Sequence, residues 1–165
     1  MTTFEQFKQY VTYREGLDTD TKKACIAAAE KNMGAGENLS SIDTVIKDLE
    51  QDRNKFLRAT GLASFYSQFF DKALSEMPND NLPYLYLNVL RNDKESACIK
   101  MLPFLEFEIY LRIKNKDFLN EAFVPVQDII DKMASKIKTF DPACYQQIVA
   151  KHDRSWSRYL GSFLN

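Results

Sequence analysis

The sequence is poor in glycine and proline, has a single histidine and contains no long apolar run. Any chemistry that needs an imidazole therefore has only His152 to use. The longest uncharged run, residues 59–70, is far shorter than the roughly 20 apolar residues of a membrane-spanning helix, so we expect no membrane span. No glycine-rich phosphate loop, CxxC pair or ExxH pair occurs, and we therefore expect no cofactor and no metal centre.

Cysteine is also scarce, and the three cysteines, Cys25, Cys98 and Cys144, form no spacing typical of a metal site. Their odd number and wide separation favour free thiols, each buried as a small hydrophobe in a reducing compartment. The first residues lack the basic region and apolar core of a signal peptide. We therefore expect a soluble, cytoplasmic protein.

Charge is nearly balanced overall but unevenly distributed. The net charge is −1, yet residues 1–131 have a balance of −5 and residues 132–165 a balance of +4. A sequence pI of about 5.9 does not favour nucleic-acid binding by the whole protein. The uneven distribution predicts a local basic surface at the C-terminal end.

The glycines and prolines fall mostly where a helical spacing of apolar residues starts or stops. Between them, apolar residues recur every three or four positions, which is the spacing of one helix face. We predict an all-α fold: a single compact domain over residues 1–165, built as a bundle of seven to eight helices around a largely apolar helix near residues 94–114. Most aromatic residues lie on the inner faces, whereas Tyr13 and Tyr84 do not and are predicted to be exposed.

Several helix ends are predicted from capping residues. Thr3 with Gln6 predicts a capping box at the first helix, and Gly16 predicts its end. Asp18 or Thr19 is predicted to cap the second helix.

The pattern between residues 41 and 77 allows two interpretations. Ser40 with Asp43 predicts the start of a helix, and Gly61 interrupts the apolar spacing. Two helices that meet at Gly61, the second over Leu62–Met77, are favoured over one long kinked helix.

Three prolines mark the second half of the chain. Pro103 lies inside the central helix, where its ring is predicted to kink or split it. Pro125 is predicted to open the next helix. Asp141 followed by Pro142 is predicted to cap and open the last one, which ends near Gly161.

The strongest candidate site is a basic stripe near the C-terminus. Lys151, Arg154 and Arg158 have the spacing of one helix face beside Trp156 and Tyr159, which could act as aromatic anchors. Cations near a helix C-terminus complement its dipole by about 0.3–1 kcal/mol, but a stripe two turns long exceeds that need. The same end of the chain carries three further lysines: Lys132, Lys136 and Lys138.

Acidic residues give weaker candidates. Asp48 with Asp52 and Asp128 with Asp131 have spacings that could hold Mg²⁺, but interleaved bases favour a solvated face with intrahelical ion pairs. The central helix carries two unexpected acids, Glu106 and Glu108; Arg112, four residues after Glu108, is expected to neutralise the second.

These features favour a non-enzymatic protein that binds another macromolecule as a regulator, adaptor or inhibitor. Its partner-binding face is predicted to comprise Lys151, Arg154, Trp156 and Arg158, with another protein as the favoured partner. Nucleic acid is less favoured, and homo-oligomerisation stays open. The alternatives are an apolar ligand pocket between Leu62–Met77 and Cys98–Ile113 and, with least support, an enzyme that uses His152.

Overall fold

The computed structural model of the chain describes residues 2–33, 39–50, 53–65, 70–115 and 124–150. Within these ranges it contains eight α-helical segments: α1 (Thr3–Tyr13), α2 (Thr19–Met33), α3 (Ile42–Glu50), α4 (Arg53–Thr60), α5 (Leu82–Arg91), α6 (Ser96–Lys114), α7 (Val124–Phe140) and α8 (142–150). Short 3₁₀ turns occupy Ala63–Phe65 and Leu74–Glu76, and the β-structure of the described ranges is one isolated bridge between Ser41 and Ala73. The predicted all-α helical fold is confirmed.

The first two helices start and stop at side-chain caps. Thr2, not Thr3, forms the capping box of α1: its hydroxyl accepts from the Glu5 amide at 3.2 Å, and the Glu5 carboxylate accepts from the Thr2 amide at 2.9 Å. The predicted capping box, Thr3 with Gln6, was therefore wrong by one residue. Glu5 completes the box in place of Gln6, and its negative charge also favours the positive end of the helix dipole. Of the two predicted capping residues, Asp18 caps α2, since its Oδ1 accepts from the Thr21 amide at 2.7 Å.

Glycine ends two helical segments through left-handed backbone. Gly16 follows α1 with φ of +83°, and Gly61 follows α4 with φ of +68°, a region that side chains disfavour. The predicted helix ends at both glycines are confirmed. One long kinked helix through Gly61 is therefore excluded.

The helix predicted over Leu62–Met77 is wrong. Residues 62–65 and 70–77, which the structure describes there, form 3₁₀ turns, bends and the bridge. Leu62, Phe70, Leu74 and Met77 are nevertheless buried. Regular spacing identified the buried side chains correctly, but turns can bury the same side chains as a helix. The helix start predicted at Ser40 is also shifted, to Ser41, whose hydroxyl accepts from the Thr44 amide at 3.3 Å.

Helix α6 has the predicted position and burial. Every residue from Met101 to Tyr110 is buried, and the helix runs through Pro103 without a break. The predicted split is therefore wrong. An interior proline costs about 3 kcal/mol, and burial of two large apolar side chains at about 1.5–3 kcal/mol each offsets it.

Contacts along the chain group into two compact units, residues 1–108 and 109–165, with the boundary inside α6. In the first unit, the Phe7 ring of α1 packs 4.7 Å from the Phe104 ring and 5.4 Å from the Phe107 ring, measured between centroids. The second unit has its own buried side chains from α7 and α8: Ile129, Met133, Ile137, Cys144 and Ile148. The single domain over residues 1–165 stays a prediction.

Two features of the surface bear on function. Tyr13 and Tyr84 are 65% and 56% exposed, as predicted. None of the helices in the described ranges has the length and apolar character needed to span a membrane.

Candidate functional site

The predicted partner-binding residues Lys151, Arg154, Trp156 and Arg158 lie outside the described residues, as does His152. The structure instead describes the chain that leads to them, from α7 through Asp141 into α8.

The three lysines of α7 differ in their surroundings. Lys132 and Lys138 are exposed, whereas Lys136 is partly buried. The Lys138 ammonium lies 5.3 Å from the centroid of the Tyr145 ring on α8, a cation–π contact. The contact joins the last turn of α7 to the first turn of α8.

Asp141 connects the two helices and contacts α6. Its Oδ1 accepts from the Cys144 amide at 3.1 Å, which confirms the predicted helix cap. Its Oδ2 accepts from the Tyr110 hydroxyl at 2.6 Å. Burial, followed by the hydrogen bond and charge of Asp141, raises the pKa of Tyr110 well above its ordinary value, so the phenol remains a donor at neutral pH.

A buried ionic network lies at the middle of α6, within the first unit. Glu106 is fully buried and forms a bidentate ion pair with Arg14, with Oε1–Nε and Oε2–Nη2 distances of 2.8 Å and 3.0 Å. The Tyr10 hydroxyl also donates to Glu106 Oε1. The sequence pointed to Glu106 as unusual but missed its partner, which lies 92 residues away in the chain. An acid on an otherwise apolar helix is the signal that a partner is needed.

The protons of this network are fixed at neutral pH. Burial lowers the pKa of Arg14, but the hydrogen bonds and charge of Glu106 more than reverse that effect and raise it above its ordinary value. Burial and the Glu106 charge raise the pKa values of Tyr10 and Tyr86. General acid–base catalysis needs a group that titrates near the working pH, and these three groups do not. We interpret the network as structural.

The cysteines have the environment predicted for them. All three are free and buried. Burial raises the pKa of Cys25 to about 12 and those of Cys98 and Cys144 to about 11. The Cys25 thiol also donates to the Lys100 carbonyl at 3.3 Å. Because the thiolate is the reactive form, these cysteines are poor nucleophiles at neutral pH.

Asp48, the one member of the two acidic pairs whose side chain the structure describes, contacts a neighbouring helix. Asp48 of α3 accepts from Asn32 at 2.6 Å and from Lys31 at 3.1 Å, both on α2. The Asn32 hydrogen bond and, after it, the contact with Lys31 lower the pKa of Asp48 despite some desolvation. Asp52 and the side chains of Asp128 and Asp131 lie outside what the structure describes. Among the described residues, no group of three or more His, Cys, Asp or Glu could hold a metal ion.

An open groove of about 480 Å³ lies at the start of α2. Its lining is mainly polar: Asp18, Thr19, Asp20, Thr21, Ala24 and Lys100. This is not the apolar pocket considered from the sequence, because the described parts of its proposed wall over Leu62–Met77, residues 62–65 and 70–77, contain no α-helix. No observation in the described ranges favours an apolar ligand.

No protein-family model, curated protein or solved structure matches the chain.

Proposed function

We propose that the protein binds another macromolecule, as a regulator, adaptor or inhibitor, through a basic C-terminal face. We define this face by Lys151, Arg154, Trp156 and Arg158. The observation that carries the proposal is the charge of residues 132–165, a balance of +4 in a chain whose remaining residues have a balance of −5. The exposure of Lys132 and Lys138 on α7 supports it, because these cations are accessible to a partner.

The number of cations at the spacing of one helix face exceeds what helix stability requires. One well-placed cation at a helix C-terminus contributes about 0.3–1 kcal/mol, and the effect fades within the last turn. Arginine and tryptophan are also the residue types that dominate binding energy at protein interfaces. Three cations at this spacing, with a tryptophan between them in the sequence, therefore favour a binding surface.

An acidic protein segment is the partner that this face fits best. Complementary charge speeds association and selects the partner. The overall pI of about 5.9 would oppose long contacts with nucleic acid, in which many phosphates must be neutralised. We therefore favour an acidic protein surface over nucleic acid.

The described side chains also favour binding over catalysis. The three cysteines and the tyrosines Tyr10, Tyr86 and Tyr110 have raised pKa values, which keep them protonated at neutral pH. They are thus poorly suited to act as nucleophiles or bases.

The test combines Arg154→Ala with Arg158→Ala and measures binding to a fluorescent oligoglutamate peptide over a range of salt concentrations. We expect weaker binding with a smaller salt dependence, and stability within about 0.5 kcal/mol of wild type, as for surface changes. The matched control combines Lys8→Ala with Lys23→Ala, which removes the same charge from exposed positions on α1 and α2.

Three outcomes would contradict the proposal. The first is equal binding by the wild type and the double arginine variant. The second is an equal loss in the control, which would indicate a general effect of net charge. The third is tighter binding of a single-stranded DNA of matched charge, which would make nucleic acid the partner class.

A further inference from the structure

Helix α1 contacts α6 through an apolar stripe that repeats along its length. The ring of Phe7 packs against the rings of Phe104 and Phe107, as described above. The same stripe contains Phe4, one turn before Phe7, and Val11, one turn after it. Because apolar burial has no preferred direction, the two rings of α6 would accept Phe4 in place of Phe7 after a shift of α1 by one turn.

The polar contact between the two helices is made by Tyr10 and by Arg14, which directly follows α1. The Tyr10 hydroxyl donates to Glu106 Oε1, and the Arg14 guanidinium donates to both oxygens of that carboxylate. Glu106 is fully buried, so these three hydrogen bonds form in a region of low dielectric constant. The planar fork of an arginine fits a carboxylate in one orientation. The polar contact is therefore directional, unlike the apolar one.

A shift of α1 by one turn would leave the polar contact unmade. A shift of three residues moves the helix by about 4.5 Å and brings Phe4 to the position of Phe7. The side chain of Phe7 then takes the position of Tyr10, and Val11 takes that of Arg14. The buried carboxylate would face two apolar side chains and lose the three hydrogen bonds. A buried charge without such bonds is strongly disfavoured, so the shifted register is excluded.

We propose that the ionic network of Tyr10, Arg14 and Glu106 fixes the register of α1 on α6, while the apolar stripe supplies attraction without selecting a register. All three residues belong to the unit of residues 1–108. Removal of one partner from a buried ion pair destabilises a protein, whereas replacement of the whole pair by apolar side chains is often neutral. The network thus selects one position of α1 from those that apolar packing permits.

The test replaces the whole network, with Tyr10→Phe, Arg14→Met and Glu106→Leu combined in one apolar variant. In the wild type, nuclear Overhauser effects should connect the Phe7 ring, and not the Phe4 ring, with the rings of α6. In the apolar variant the Phe4 ring should show them too. A second set of α1 amide signals should rise above the roughly 0.1–10% of an ordinary minor state. The melting temperature should stay within about 4 °C of the wild-type value.

The matched control replaces an exposed ion pair that also joins two helices. Lys31→Met with Asp48→Leu removes a 3.1 Å contact between α2 and α3 whose lysine side chain is 71% exposed. We expect one set of α1 and α3 signals in this control, because exposed ion pairs contribute little. A rescue variant adds Phe4→Gln to the apolar variant. It should return α1 to one set of signals, because the shifted register then lacks a ring to place on α6.

A further variant, Glu106→Gln, keeps the shape of the side chain and removes its charge. It should show the Phe4 contacts at lower intensity than the apolar variant does, because a buried amide without partners costs less than a buried carboxylate. The absence of these contacts in Glu106→Gln would contradict the proposal.

Three other outcomes would overturn it. One set of α1 signals in the apolar variant would mean that apolar packing selects the register by itself. A larger fall in melting temperature, or failure to fold, would mean that the network supplies stability and does not choose between packed positions. A second set of signals that persists in the rescue variant would indicate general loosening of α1. None of these measurements involves the basic face, so the proposed function is tested separately.

Discussion

Helix α6 takes part in a tyrosine–carboxylate hydrogen bond in each of the two units, and the two bonds differ in the surroundings of the carboxylate. In the first unit the carboxylate belongs to α6: Glu106 is fully buried and bound by Tyr10 and Arg14. In the second unit the tyrosine belongs to α6: Tyr110 donates to Asp141, which is partly exposed at a helix start. We name these the Glu106 network and the Asp141 junction.

The difference between the two sites follows from desolvation. A carboxylate without water needs a cation and further donors, and Arg14 supplies a planar pair of donors that fits both oxygens. Asp141 keeps contact with water and uses a backbone amide instead. The first arrangement ties α1 to α6 across the core of its unit, whereas the second fixes the direction of one helix. We therefore expect the Glu106 network to control global stability and the Asp141 junction to control local geometry.

The largest effect is expected for Arg14→Ala, which leaves the buried Glu106 carboxylate without its cation. Removal of one partner from a buried ion pair typically costs about 3–5 kcal/mol. Urea denaturation monitored by circular dichroism measures the loss. Arg91→Ala is the matched control, because Arg91 is exposed at the end of α5 and should change stability by no more than about 0.5 kcal/mol. Equal losses for the two variants would contradict a special role of the network.

A smaller global effect is expected for Asp141→Ala. Loss of a helix-capping side chain costs about 0.5–2 kcal/mol. The change should be concentrated in residues 142–150, where hydrogen exchange should accelerate more than in α1 or α2. A stability loss as large as that of Arg14→Ala would remove the proposed difference between the two sites.

The last effect is absent at neutral pH and is expected only in the response to alkaline pH. Both sites include a tyrosine with a pKa raised above its ordinary value of 10.0, and the buried cysteines are raised from 9.0 to about 11 or 12. A tyrosine or cysteine whose pKa is higher in the folded than in the unfolded protein contributes stability at any pH below the unfolded pKa. That contribution is lost as the pH rises through the pKa of the folded protein. Stability should therefore decline above about pH 9, by at most about 1.4 kcal/mol per pH unit for each group.

Tyrosine variants assign parts of that decline to the two sites. Tyr10→Phe and Tyr110→Phe should each make the free energy of unfolding less dependent on pH. The change is expected between the ordinary pKa of tyrosine and its raised pKa in the folded protein. Urea denaturation across an alkaline pH series measures the slope, with Tyr13→Phe as the control. An unchanged slope in Tyr10→Phe would contradict the raised pKa of Tyr10 in the folded protein.

The sequence by itself determined the helical class, the helix ends at Gly16 and Gly61, and the caps at Asp18 and Asp141. These features depend on atoms within about three or four residues, so local chemistry suffices to predict them. Burial of the cysteines followed from the apolar spacing around them. The charge distribution is likewise a property of the chain.

Only the tertiary structure decided how these elements are joined. The partner of Glu106 lies 92 residues away, and the Tyr110–Asp141 bond joins residues 31 apart, so neither follows from local spacing. Leu62 and Met77 are buried as expected but lie outside helices, because packing constrains which side chains are buried and not the backbone that carries them. Pro103 is tolerated inside α6 because burial along that helix exceeds the cost of one missing hydrogen bond.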